Sequence, residues 1–103
     1  MIVTSLLFLT PLLDRCGPGF MAKALYDTMR EIMDVTVGCT TEEDYSEAIE
    51  FSINAVRIYS LEDLLCASVK YDYIMYAIGN NGENHGLINR LALMVPGLSL
   101  IHI

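Results

Sequence analysis

The chain has 103 residues, 53% hydrophobic and 18% charged, with thirteen Asp+Glu against six Lys+Arg for a net charge of −7. That length holds one small domain, and such apolarity excludes a disordered chain. The charge balance offers no basic footprint for nucleic acid, and no apolar run reaches the roughly 18 residues of a transmembrane segment.

Ile2-Val3-Thr4-Ser5-Leu6-Leu7-Phe8-Leu9, stopped by Pro11, predicts a strand buried on both faces. No Lys or Arg precedes it and Asp14-Arg15 follows, so it lacks the basic start and small-residue cleavage site of a secretory leader. Asp14 to Gly19 predicts a turn-forming loop. A helix follows, with Met21, Leu25, Met29 and Ile32 on the face expected to be buried and Lys23, Asp27, Arg30 and Glu31 facing water. Val35 to Cys39 predicts a second strand. Thr41 caps a short helix to about Glu50, and its acids Glu42, Glu43 and Asp44 read as a solvated stretch at the positive helix start. Ile53 to Ile58 is a short strand. Ser60-Leu61-Glu62-Asp63 has the pattern of a capping box, opening a helix whose apolar residues are Leu61, Leu64, Leu65, Ala67 and Val69. Tyr73 to Ile78 is a further strand, with Tyr73 and Tyr76 read as core or rim aromatics. After Gly79-Asn80-Asn81-Gly82, a last helix carries Leu87, Ile88, Leu91, Leu93 and Met94 to Pro96-Gly97, and Leu98 to Ile103 forms a final strand.

Three separated cysteines (Cys16, Cys39, Cys66) and two histidines (His85, His102) match neither a disulfide framework nor a zinc site. They read as reduced, buried or half-buried thiols of a cytoplasmic protein, with no metal.

Strands alternating with helices predict the α/β class: an open parallel sheet with helices on both faces, Rossmann-like. Ligands of such sheets collect at the carboxyl ends of strands, so the loops 14–19 and 79–85 should share one rim. Gly17 and Gly19 precede a helix, where exposed amides attract anions such as phosphate. The spacing lacks the third glycine of a dinucleotide fingerprint and the Gly-Lys-Ser/Thr of a P-loop, and an ordinary tight turn explains it as well. Asn80, Asn81, Glu83, Asn84 and His85 fall within six residues. They suit sugar hydroxyls or phosphates, with His85 able to act as acid or base; the plain alternative is a solvated turn in which Asn80 caps the last helix.

Thr10-Pro11-Leu12, then Cys16-Gly17-Pro18-Gly19, an amphipathic helix and Asp34-Val35-Thr36-Val37 resemble the N-terminal domain of GT-B glycosyltransferases of the family 4 (group 1) type. Tyr71-Asp72-Tyr73-Ile74-Met75-Tyr76-Ala77-Ile78-Gly79-Asn80-Asn81, then His85, a helix and Val95-Pro96-Gly97, are similar to that family in order and spacing. The resemblance covers nearly the whole chain outside the stretch 40–52. Leu12-Leu13-Asp14 departs from the family's proline-rich turn, and Ile101-His102-Ile103 departs from a strand ending in His-Asp.

The resemblance implies retaining transfer of a sugar from a nucleotide-sugar donor to a glycan or lipid acceptor, with no separate cofactor. It assigns Gly17 and Gly19 to donor phosphate and acceptor approach, Asn80 and Asn81 to hydroxyl contacts, and His85 to a polar contact. His102 stands where the family has a catalytic-centre histidine, provided it is native. The nucleotide-holding C-terminal domain is absent from these residues. The chain therefore reads as a partial N-terminal domain, inactive alone, with membrane association a property open to the full-length enzyme. Leu98-Ser99-Leu100-Ile101-His102-Ile103 also resembles the translation of a transposon-derived sequencing adapter, in which case residues 98–103 are not native. Open sheet edges and uncovered apolar faces predict that the isolated chain aggregates or stays partly molten. The competing function class is a stand-alone flavodoxin-like or receiver-like binding module.

Overall fold

Runs of large apolar and β-branched residues form the strands, and the polar capping residues Thr41 and Ser60 start two of the helices between them. The computed structural model describes residues 4–11, 18–78 and 82–101. The elements run β1 (Ser5–Leu9), α1 (Pro18–Met29), β2 (Asp34–Cys39), α2 (Glu42–Glu50), β3 (Ala55–Arg57), α3 (Leu61–Ser68), β4 (Tyr73–Ile78), α4 (Gly82–Met94) and β5 (Leu98–Ile101). The sheet has five strands in the order β3-β2-β1-β4-β5, and all four pairings are parallel. β1 is central, with Leu6 opposite Val35 and Tyr73 and Leu9 opposite Gly38 and Tyr76.

Alternation along β1 feeds two cores. Leu6 and Phe8 pack with Val35, Val37 and Cys39 under Tyr26 of α1 and Ala48 of α2. Leu7 and Leu9 pack with Tyr76 under Leu64 and Ala67 of α3 and Ile88 and Leu91 of α4. The protein is thus an α/β fold with helices on both faces of an open parallel sheet. The chain winds outward from β1 to β3 with α1 and α2 on one face, then crosses to β4 and winds the other way with α3 and α4 on the opposite face. This is the Rossmann half-order, 3-2-1-4-5. A flavodoxin-like or receiver-like sheet has the order 2-1-3-4-5, from which this sheet differs in the position of β3 beyond β2.

Several helix boundaries and faces differ from the sequence reading. Pro18 opens α1, a position where its missing N–H costs nothing, so Gly19 lies in the first helical turn rather than in the loop. α1 ends at Met29, and a turn built on Ile32 N–H to Met29 carbonyl and Met33 N–H to Met29 carbonyl leads into β2. Ile32, expected inside, is therefore exposed, while Tyr26 takes the buried position. In α3 the buried residues are Leu64 and Ala67, three apart, which leaves Leu61, Leu65 and Val69 outside. In α4, Ile88 and Leu91 face the sheet while Leu93 and Met94 do not. Cys66 is exposed, against the expectation of a covered thiol, because it follows Leu65 on the outer side of α3.

The two predicted caps form. Thr41 Oγ1 accepts from Asp44 N–H at 3.1 Å and Ser60 Oγ from Asp63 N–H at 3.1 Å. The return half of the second box is displaced by one residue, with Asp63 Oδ2 accepting from Tyr59 N–H at 3.0 Å. At the end of α2, Ser52 takes φ 57°, and Ile53 N–H closes the turn on the Ala48 carbonyl at 2.8 Å. A left-handed residue with a Cβ is strained there, so Ser52→Gly should stabilise the fold by about 0.5–1 kcal/mol. Urea unfolding measures this, and no gain in midpoint would refute it.

Candidate functional site

Where a doubly wound sheet reverses direction, the helices after two adjacent parallel strands leave to opposite faces, and a crevice opens between the strands' carboxyl ends. Here that point lies between β1 and β4. Leu9 pairs with Tyr76, and β4 runs two residues further, to Ile78. The chain leaves β1 through Thr10 and Pro11, both buried, with Thr10 Oγ1 donating to the Pro11 carbonyl at 3.2 Å. α1 starts at Pro18 and α4 at Gly82. The starts of these two helices therefore serve adjacent strand ends from opposite faces.

Of the predicted site residues, Gly17, Asn80, Asn81 and His102 lie outside the described residues. Gly19 is in the first turn of α1. His85 is in the first turn of α4, not in a loop, since that helix starts at Gly82 rather than near Leu87. Glu83 accompanies it in that turn, where the helix dipole favours an acid. The strand ends that precede the two loops lie on the same edge of the sheet, since β1 and β4 pair in parallel, while residues 14–17 and 79–81 of the loops lie outside the described residues.

The same rim continues across β2 and β3 with a different character. Arg57, at the end of β3, sets Nε 3.0 Å from Glu42 Oε1 and 3.3 Å from Oε2, and its guanidinium lies 4.1 Å from the Tyr45 ring. Half-buried between two helices, Lys23 of α1 reaches Glu47 of α2 at 2.7 Å and stands over exposed Phe51 at 4.3 Å. The acidic stretch is not wholly solvated: Asp44 is buried, one turn before buried Ala48 on the sheet side of α2. The sequence carried that signal in the four-residue spacing of Asp44 and Ala48. At the end of β2, where a dinucleotide fold sets an acid for the ribose, this chain has Cys39-Thr40-Thr41.

Burial, and next the charge of Asp44, push the Cys39 thiol from 9.0 up to about 12. Cys39 is therefore a neutral packing group at neutral pH, not a nucleophile. Maleimide at neutral pH should label exposed Cys66 and spare Cys39 until the protein unfolds, as read by peptide mapping. Because the folded pKa exceeds the unfolded one, Cys39 contributes stability below about pH 9 that is lost as pH rises toward 12. Tyr76, also raised by burial, acts in the same direction. Cys39→Ala should flatten the alkaline limb of the stability profile without abolishing it. An unchanged slope would show that Cys39 does not contribute.

Among the described residues, no three His, Cys, Asp or Glu come together in a metal-binding group, and no helix is long and apolar enough to cross a membrane. The chain matches no known protein-family model and no curated protein.

Proposed function

We propose that this chain forms the acceptor-side Rossmann-like domain of a retaining glycosyltransferase, working on a nucleotide-sugar donor and a glycan or lipid acceptor in the cytoplasm. What supports the reading is the strand order. The two segments that carry the family resemblance leave from β1 and β4, and these are the neighbours at the switch point. A fold of the same class with β3 between them would separate those segments.

In this reading the Gly17–Gly19 turn and the start of α1 approach the donor phosphate, since helix-start amides suit an anion. Asn80 and Asn81 reach sugar hydroxyls, and His85 adds a polar contact from the first turn of α4. His102, provided it is native, stands at the catalytic centre. A C-terminal domain holds the nucleotide, so the 103 residues alone bind weakly and turn nothing over.

The test has two arms. Reading the parent DNA past residue 103 should reveal a second α/β domain with a glutamate pair in its nucleotide site. Titrating the chain with nucleotide sugars should shift the amides of Thr10, Ile78 and the first turns of α1 and α4. A downstream sequence of another kind, or donor turnover by this chain at an appreciable rate, would overturn the proposal.

A further inference from the structure

Helices in a parallel α/β fold run against the strands, so all helix carboxyl ends meet at the amino edge of the sheet, opposite the crevice. In this protein that edge is apolar and electronegative together. Leu93 is 88% exposed, Val69 83% and Ile32 77%, and Phe51, Tyr73 and Met94 are exposed beside the same turns. Two grooves meet at Tyr73. One, of about 440 Å³, is lined by Tyr71, Asp72, Tyr73, Ile74, Val95 and Pro96. The other, of about 250 Å³ on the opposite face, is lined by Leu6, Met29, Met33, Tyr73 and Met75.

None of the four helices has a basic residue in its last turn. No side chain within those last turns offsets the negative end of the helix dipole; the nearby cations come from outside them, as Arg30 after α1, Lys70 after α3 and Lys23 over Phe51. Glu31, Asp34, Glu50 and Asp72 lie in the turns or at the strand starts there, against Arg30 and Lys70. Asp72 Oδ2 accepts from Ser5 N–H at 2.9 Å and from Ser5 Oγ at 3.3 Å, which fixes the carboxylate in the wall of the larger groove.

We propose that the amino edge is a docking surface for a basic amphipathic polypeptide segment. A Lys or Arg of that segment lays its apolar stem in the groove between Tyr71 and Tyr73 and carries its charge to Asp72. Adjacent apolar residues of the segment cover Leu93 and the methionine-lined groove. Aromatic walls with one fixed carboxylate suit a cation on an apolar stem better than a neutral side chain. Methionines give a surface that adapts to a helix face. A second copy is disfavoured as the occupant, because it would bring the same acids and the same negative helix ends against each other.

The probes are a short amphipathic Leu/Lys peptide, its Leu/Glu counterpart and a scrambled Leu/Lys isomer. They are added to the whole chain at physiological salt and followed by anisotropy and amide chemical shifts. The Leu/Lys peptide should bind, shifting Tyr73, Val95 and Leu93 and leaving Thr10 and Ile78 unmoved. Asp72→Asn and Tyr73→Ser should each weaken it about tenfold. Leu65→Ser, on the outer side of α3, should not. Tyr73 is exposed, so its variant keeps the test valid even if Asp72→Asn disturbs the clasp with Ser5. Equal binding of the Leu/Glu or scrambled peptide, or shifts centred on the carboxyl edge, would overturn the proposal. So would dimerisation through this edge in sedimentation, which would assign it to a second copy. The carboxyl-edge function is read by different amides and stands or falls separately.

Discussion

Phe8→Ala should remove about 3–5 kcal/mol of stability and leave most of the chain unfolded. Phe8 is fully buried in the central strand, opposite Val37 on one side and Met75 on the other, so its ring is packed from both neighbouring strands. Deleting it leaves a void beneath α1 and α2 that the backbone of a middle strand cannot move to fill. A domain of this size has a total stability of about 5–15 kcal/mol, so the loss approaches the whole of a marginal fold. Urea unfolding followed by near-UV circular dichroism measures it. A loss under about 1 kcal/mol would mean that β1 is not at the centre of the core.

Gly97→Ala should cost about 1–3 kcal/mol, while Gly86→Ala should stabilise by about 0.5–1 kcal/mol. The opposite signs come from space. A Cβ at Gly97 would stand 2.7 Å from the Ile74 carbonyl oxygen and 2.8 Å from Tyr76 Cε2. Neither neighbour can yield cheaply: one is backbone of β4, and the other is the ring whose hydroxyl donates to the Val95 carbonyl at 2.8 Å. At Gly86, inside α4, a Cβ meets nothing within 4 Å, so alanine gains helix propensity without a clash. Thermal melts of the two variants should move in opposite directions. Movement in the same direction would place the turn from α4 to β5 differently from this structure.

What could be read beforehand follows from how local each cause is. β4 was legible to the residue, because its apolar run is bounded by Asp72 and by Gly79-Asn80. Both N-caps were legible because a cap is a contact across three residues. The start of α4 was missed because Gly82 and Asn84 are poor helix formers, and the helix extends through them regardless. Ile32 is expected inside but lies outside because a helical stripe reveals which residues share a face, not where the helix stops. Alternation of strands and helices pointed to the class but not to the side on which β3 attaches. That is decided by β2 offering a free edge to a strand of only three residues, one of them Arg57, whose charge suits the sheet border. The candidate site was legible to the extent that both loops follow strands; their adjacency came from strand order alone.

The clasp of Ser5 on Asp72 spans 67 positions of sequence, and this sets an order on biosynthesis. β1 leaves the ribosome first, yet one of its two edges has no partner until β4 is made. At roughly 5–20 residues per second, that edge waits on the order of 3–13 s. During this interval β1, α1 and β2 can assemble on one face while Leu7 and Leu9 on the other remain bare. The most deeply buried strand of the finished protein is therefore the one longest open to chaperones and to pairing with neighbouring nascent chains, so slowing translation between β2 and β4 should lower the soluble yield.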